Sequence, residues 1–172
     1  AWSSAASDVY KRQEQNHTSE ALYYLALLSP SNTSSGTFGF TITDDTTAPT
    51  ITNVTATTAD GSYKKDDTIN ITVSLSEAVD VTGTPTLTLG TGNDATYTSG
   101  SGSDTLTFTY TVQDGDSASK LDYNATGSLS GTLKDTALNN AILTLAKPGR
   151  LGSLAANKAL VLDTTSPTIT NV

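Results

Sequence analysis

Cysteine is absent, so the chain has no disulfide framework and no thiolate metal site. That is compatible with a secreted bacterial protein that relies on cations instead of bridges. Methionine is absent too, which gives the expectation that the chain begins inside a longer polypeptide or after a removed segment. Charged residues make up only 15%, and the rest is rich in Thr, Ser, Gly, Asn and Asp. A helical bundle would want Ala, Leu, Glu and Lys, whereas this profile suits a Thr-rich, all-β domain. Long apolar runs are missing: the longest, Ala21 to Leu28, is far too short for the ~20 residues that span a bilayer. No signal-peptide pattern is visible.

Basic residues are scarce. Nine Lys and Arg face seventeen Asp and Glu, for a net charge of −8. Such a surface repels nucleic acid and anionic membranes, and attracts a divalent cation wherever carboxylates converge. The one histidine, His17, and the one tryptophan, Trp2, both fall in the first 22 residues.

What is present is a repeat. "DTTAPTITNV" at Asp45 to Val54 returns as "DTTSPTITNV" at Asp163 to Val172, an offset of 118 residues. The same offset places Pro30 on Pro148, and Leu25 and Leu27 on Leu143 and Leu145. A unit of that length buries its own core, so the expected array is beads on a string. Residues 1–22 are an unassigned leader. "SDVYKRQ" within it reads either as an adapter remnant or as a divergent loop of the preceding repeat, poorly ordered in both cases. Residues 23–44 are expected to be the C-terminal strands of a preceding repeat, with Tyr23 to Leu28 as a strand. Residues 45–162 form one complete repeat, and 163–172 begin another.

Within the complete repeat, alternation of period two dominates. "TINITVSL" turns Ile69, Ile71, Val73 and Leu75 to one face. "DTLTFTYTV" does the same with Leu106, Phe108, Tyr110 and Val112. In "TITNVTAT", Ile51, Asn53 and Val54 break the alternation and predict a bulge or a change of face. "TPTLTL", "ATYTS", "KLDYN", "GTLK", "AILTL" and "KALVL" supply further strands, and Tyr97, Tyr110 and Tyr123 read as core. Turn signals separate them: "ADGS", "GTGND", "SGSGSD", "QDGDS" and "KPGRLG". Short strands at this spacing predict an all-β, two-sheet sandwich of immunoglobulin or fibronectin type III character.

The spaced motifs "DTTAPTITNV", "DGSYKKDDTINITVSLSEAVDVTGTPTLTLGTG", "ATYTSGSGSDTLTFTYTV" and "LKDTALNN" resemble the bacterial immunoglobulin-like (cadherin-like) tandem repeats of large surface adhesins. The resemblance covers Asp45 to Val172. It implies secreted β-sandwich modules at the bacterial cell surface that serve cell adhesion or biofilm formation, with calcium bound at module junctions. At residues 135–139 the family reads Asp-x-Ala-Gly-Asn. Leu138 here stands at the glycine that allows φ > 0, which predicts a distorted loop.

In such a topology the loops divide between two poles. The entry pole gathers Asp45, Glu77, Asp135 and Asn139. The exit pole gathers Asp163 with Asp60, Asp66, Asp67, Asp114 and Asp116. Stacked repeats would bring the two acid sets together around Ca2+, which takes six to eight oxygens. Taken singly, each of these residues is also an ordinary turn former.

Catalysis is not expected. No Ser-His-Asp arrangement can form without a histidine in the complete repeat, and "GTGND" and "SGSGSD" are hairpin turns rather than phosphate loops. A pair of Asp residues without an aromatic cleft does not make a glycosidase. Ice binding through Thr-x-Thr rows would need a flatter lattice than a twisted sandwich offers. Five Asn-x-Ser/Thr sequons, at Asn16, Asn32, Asn53, Asn70 and Asn124, are expected by chance in this composition, and Asn70 falls mid-strand. The leading expectation is a structural extender module with no catalytic role, whose partners are adjacent repeats of the same polypeptide. The alternative is a carbohydrate-binding accessory module of a secreted multidomain protein.

Overall fold

The structure is a computed structural model that describes residues 44–169. These fall in one compact unit, Thr43–Val172. The leader 1–22, the strand expected at Tyr23 to Leu28 and the last three residues of the second repeat lie outside the described residues.

The described chain is nearly all β, in two sheets. The larger sheet contains β1 (Ile51–Ala56), β3 (Thr68–Thr88), β4 (Asp94–Ser99), β5 (Ser103–Thr111) and β7 (Leu129–Lys134), all paired antiparallel. The smaller sheet has the order β2 (Gly61–Tyr63), β8 (Leu160–Asp163), β6 (Ser117–Ala118). There β2 runs parallel to β8, and β6 antiparallel to it. One hydrophobic core draws on both sheets, with Leu160 and Leu162 of β8 packed among residues of β1, β3 and β5.

The pattern of the sequence explains the long pairing of β3 with β5. It runs from Thr68↔Thr111 to Ser74↔Thr105 without interruption. Every apolar residue of the stretch therefore faces the core: Ile69, Ile71 and Val73 of β3 and Leu106 and Phe108 of β5 are fully buried. Hydroxyls line the other face, where Thr keeps β propensity without leaving an apolar surface. The irregularity expected in "TITNVTAT" is a register shift between Ile51 and Asn53, after which Val54 and Ala56 face inward.

Two strands read separately, "TINITVSL" and "TPTLTL", are one 21-residue strand. Shifts at Ser74/Val79 and Thr82/Thr86 bend it, so that its first half pairs with β1 and β5 and its second with β7 and β4. At the second bend Pro85 lies against Gly131, whose φ is +137°. A Cβ on that glycine would come within 2.7 Å of the Pro85 ring. Only glycine lets the strands meet there.

"KLDYN" and "AILTL" bury residues as expected without forming strands. Leu121 and Tyr123 are about 1% exposed and Leu145 is buried; the bridges Leu89↔Tyr123 and Thr50↔Ile142 and single hydrogen bonds such as Leu121 N–H to the Leu160 carbonyl and Ala141 N–H to the Leu133 carbonyl join these segments to the sheets. Tyr97 is half-buried, its ring edge-on to Phe108 at 6.0 Å. The short β2 begins inside the turn "ADGS". A one-turn helix, α1 (Leu154–Asn157), capped by the buried Ser153, covers the free edge of β1: Asn157 Nδ2 donates to Asn53 Oδ1 and to the Val54 carbonyl.

Candidate metal centre at the start of the repeat

Three segments meet at one end of the larger sheet. The first is the entering chain, Asp44 to Thr50. Its Thr50 N–H donates to Ser76 Oγ, Ser76 N–H donates to the Thr50 carbonyl, and Ile142 N–H donates to the Pro49 carbonyl. The second is the first bend of β3, where the four residues between Ser74 and Val79 leave the β5 ladder and carry Glu77. The third is the loop after β7, Asp135 to Asn139.

Their carboxylates converge. Asp45, Glu77 and Asp135 each offer an oxygen, and these oxygens lie within 4.8 Å of one another. Asp135 is only 2% exposed, Glu77 is half-buried and Asp45 is open to solvent. The ion pairs among the described residues, Lys65–Asp114 and Lys158–Asp60, lie elsewhere, so no described lysine or arginine pairs with the cluster.

Electrostatics set the three apart. Burial, then the charges of Asp45 and Asp135, push the Glu77 carboxyl above its ordinary value. Burial pushes Asp135 the same way, but hydrogen bonds from the Asn139 side chain and from the N–H groups of Asn139, Ala137 and Leu138 outweigh it and hold Asp135 low. Asp135 is thus a fixed anion, and Glu77 is the member that most needs a counter-charge. The set is all hard oxygen, the donor type of alkaline-earth ions, and could hold a metal ion.

Asn139, expected as a ligand, lies at the site and organises it through its N–H groups. Its backbone N–H donates to Asp135 Oδ1 at 2.8 Å, and its Nδ2 donates to Asp135 Oδ2 at 2.8 Å and to the carbonyls of Asp45 at 2.9 Å and Thr47 at 3.4 Å. One side chain thereby ties the entering chain to the Asp135 loop. The expected distortion at Leu138 is absent from this network. Leu138 takes φ +70°, the left-handed conformation that a glycine would supply, with its side chain 71% exposed.

Compared with family models, curated proteins and solved structures, the chain matches none.

The acids assigned to the exit pole have other partners. Asp60 precedes β2, and its carboxylate accepts from Ala159 N–H and pairs with Lys158 at 3.3 Å. Because β2 runs parallel to β8, Asp60 sits level with Ala159, about 13 Å of strand short of Asp163. The unforeseen β2 is the reason the two do not meet. Asp114 pairs with Lys65 at 4.0 Å, and Asp67 closes its own turn through Lys64 N–H. Asp66 holds φ +70° in that same turn.

Asp116 is buried at 5% exposure and accepts from the Tyr110 hydroxyl, Gln113 N–H and Asn93 Nδ2. Its oxygens are occupied by the fold. Asp163 accepts from Thr165 N–H at 3.0 Å, the same turn that Asp45 makes with Thr47 at 3.0 Å. At the 118-residue offset Asp163 is the copy of Asp45. The two residues thus share both the repeated sequence and the local turn.

Proposed function

We propose that the chain is a structural extender module of a large bacterial cell-surface or secreted adhesin, a tandem array of immunoglobulin-like sandwiches stiffened by calcium and without catalytic activity. The observation that carries this reading is the carboxylate triad seated on the chain entering the repeat.

The residue that ends β8, Asp163, is by the repeat the residue that opens the next triad. No free linker separates the two roles. On the exit side, Thr164 Oγ1 donates to the Asp116 carbonyl and accepts from Gly115 N–H. On the entry side, Asn139 holds the carbonyls of Asp45 and Thr47. A divalent ion bound by Asp45, Glu77 and Asp135 would fasten the hand-over to the body of the repeat and remove the repulsion among three carboxylates.

Calcium is favoured over magnesium because one ligand rides on an exposed chain and another on a strand bend. Calcium tolerates irregular oxygen cages where magnesium demands an octahedron. Extracellular sites of this type bind with Kd on the order of 10⁻⁴ to 10⁻³ M, matched to a calcium-rich exterior.

Small-angle scattering of a two-repeat protein tests the array directly. In calcium the particle is expected to be elongated, with a maximum dimension near the sum of two modules; in chelator the pair bends and the dimension shortens. A compact particle in calcium would contradict the reading.

A further inference from the structure

We propose that Asn124 is an acceptor for N-linked glycosylation. Three Asn-x-Thr sequons fall within the described residues, at Asn53, Asn70 and Asn124, and the fold treats them differently. Asn53 sits in β1, and its Oδ1 accepts from Asn157. Asn70 sits in β3 opposite Thr109, and its Oδ1 accepts from the Thr109 hydroxyl. Both amides are half-buried in the sheet ladder, so neither can turn toward an enzyme without opening strands.

Asn124 lies outside every strand. It opens a run of four exposed residues, Asn124 to Gly127, that contains the complete motif Asn-Ala-Thr. The run is held up by its ends. Asn124 N–H donates to the Thr88 carbonyl, Leu145 N–H donates to the Thr126 carbonyl, and Ala125 N–H donates to Ser128 Oγ. The backbone is thus anchored while the side chains of Asn124 and Thr126 stand in solvent. That is the setting the sequon needs: a surface loop with amide and hydroxyl both within reach of one enzyme.

The transfer joins Asn124 Nδ2 to the anomeric carbon of a lipid-linked oligosaccharide diphosphate. The bond from that carbon to the diphosphate oxygen breaks, the lipid diphosphate leaves with the electron pair, and the amide proton passes to the transferase. The inference depends on the proposed export of the chain for its cellular setting and not on any cation. Asp135 lies six residues beyond the start of β7, about 20 Å along the extended strand, so a glycan on Asn124 leaves the triad open.

The folded full chain, incubated with an oligosaccharyltransferase and its lipid-linked donor, tests this by intact mass and peptide mapping. The expected result, read by peptide mapping of the three described sequons, is a glycan at Asn124 with Asn53 and Asn70 bare. It is lost in Asn124→Gln and Thr126→Ala variants whose circular dichroism is unchanged. Glycan on Asn53 or Asn70 of the folded chain at a level equal to Asn124 would overturn the inference. So would an Asn124 that stays bare in the folded chain, whether or not the urea-unfolded chain accepts a glycan there. None of these outcomes depends on calcium, so they leave the extender reading to its own test.

Discussion

At Glu77, burial and two neighbouring carboxylates act in the same direction, and the consequence is a pH dependence of opposite sign to that of most acids. Its folded pKa lies above the ordinary 4.5, so through that interval the folded state binds more protons than the unfolded one. Stability therefore falls as pH rises through it. Asp135 and Asp60 lie below their ordinary 3.8, so their contribution is present above that value and lost as pH falls through the folded pKa. These groups therefore pull in opposite directions: the two aspartates lose stability as pH falls, and Glu77 loses it as pH rises.

Glu77→Gln should flatten the decline above 4.5 and raise the melting temperature at neutral pH in chelator, while weakening any response to calcium. Melting curves across pH read both effects. A Glu77→Gln protein less stable than the parent in chelator at neutral pH would contradict the assigned repulsion. Leu138 offers a separate test at the same loop. It holds a left-handed backbone with its side chain exposed, so Leu138→Gly should stabilise the chain by about 1 kcal/mol in denaturant unfolding. A loss of stability would mean that the leucine side chain, not the backbone, dominates there.

Among the elements, the alternating stretches were readable and the context-made ones were not. "TINITVSL" and "DTLTFTYTV" declare their buried faces because period two leaves one inward set. Even the bulge in β1 shows as a break in that period. Strand β2 and helix α1 carry no such signal. Three residues beginning with glycine become a strand only because β8 lies alongside, and four residues become a helix only because Ser153 caps them against β1.

The candidate site divides in the same way. Asp45, Glu77 and Asp135 could be grouped from loop order, because both poles of a sandwich collect alternate loops. Asp116 could not be told from a surface acid, since its burial depends on a hydroxyl six residues away in sequence and across a turn. Asp116→Ala removes the partner of Tyr110, Gln113 and Asn93 at once, and is expected to cost about 2–4 kcal/mol in denaturant unfolding without altering the response to calcium. A lost calcium response with intact stability would return Asp116 to the list of metal ligands.

For the whole molecule, we propose that the hand-over between repeats and the carboxylate cluster are one structure. Asp45 belongs at once to the entering chain, which Asn139 holds, and to the triad. Asn139 fixes that geometry by its own hydrogen bonds, so calcium would bind a largely preformed site and its binding energy would appear as stability.

The measurement that tests this most directly is thermal unfolding of the full chain in millimolar calcium and in chelator, beside an Asp135→Asn variant. Taking Kd in the expected range and calcium at about ten to one hundred times Kd, the midpoint should rise by roughly 5–10 °C. Asp135→Asn should abolish the rise. An equal midpoint in calcium and chelator, or a rise that survives Asp135→Asn, would contradict the account.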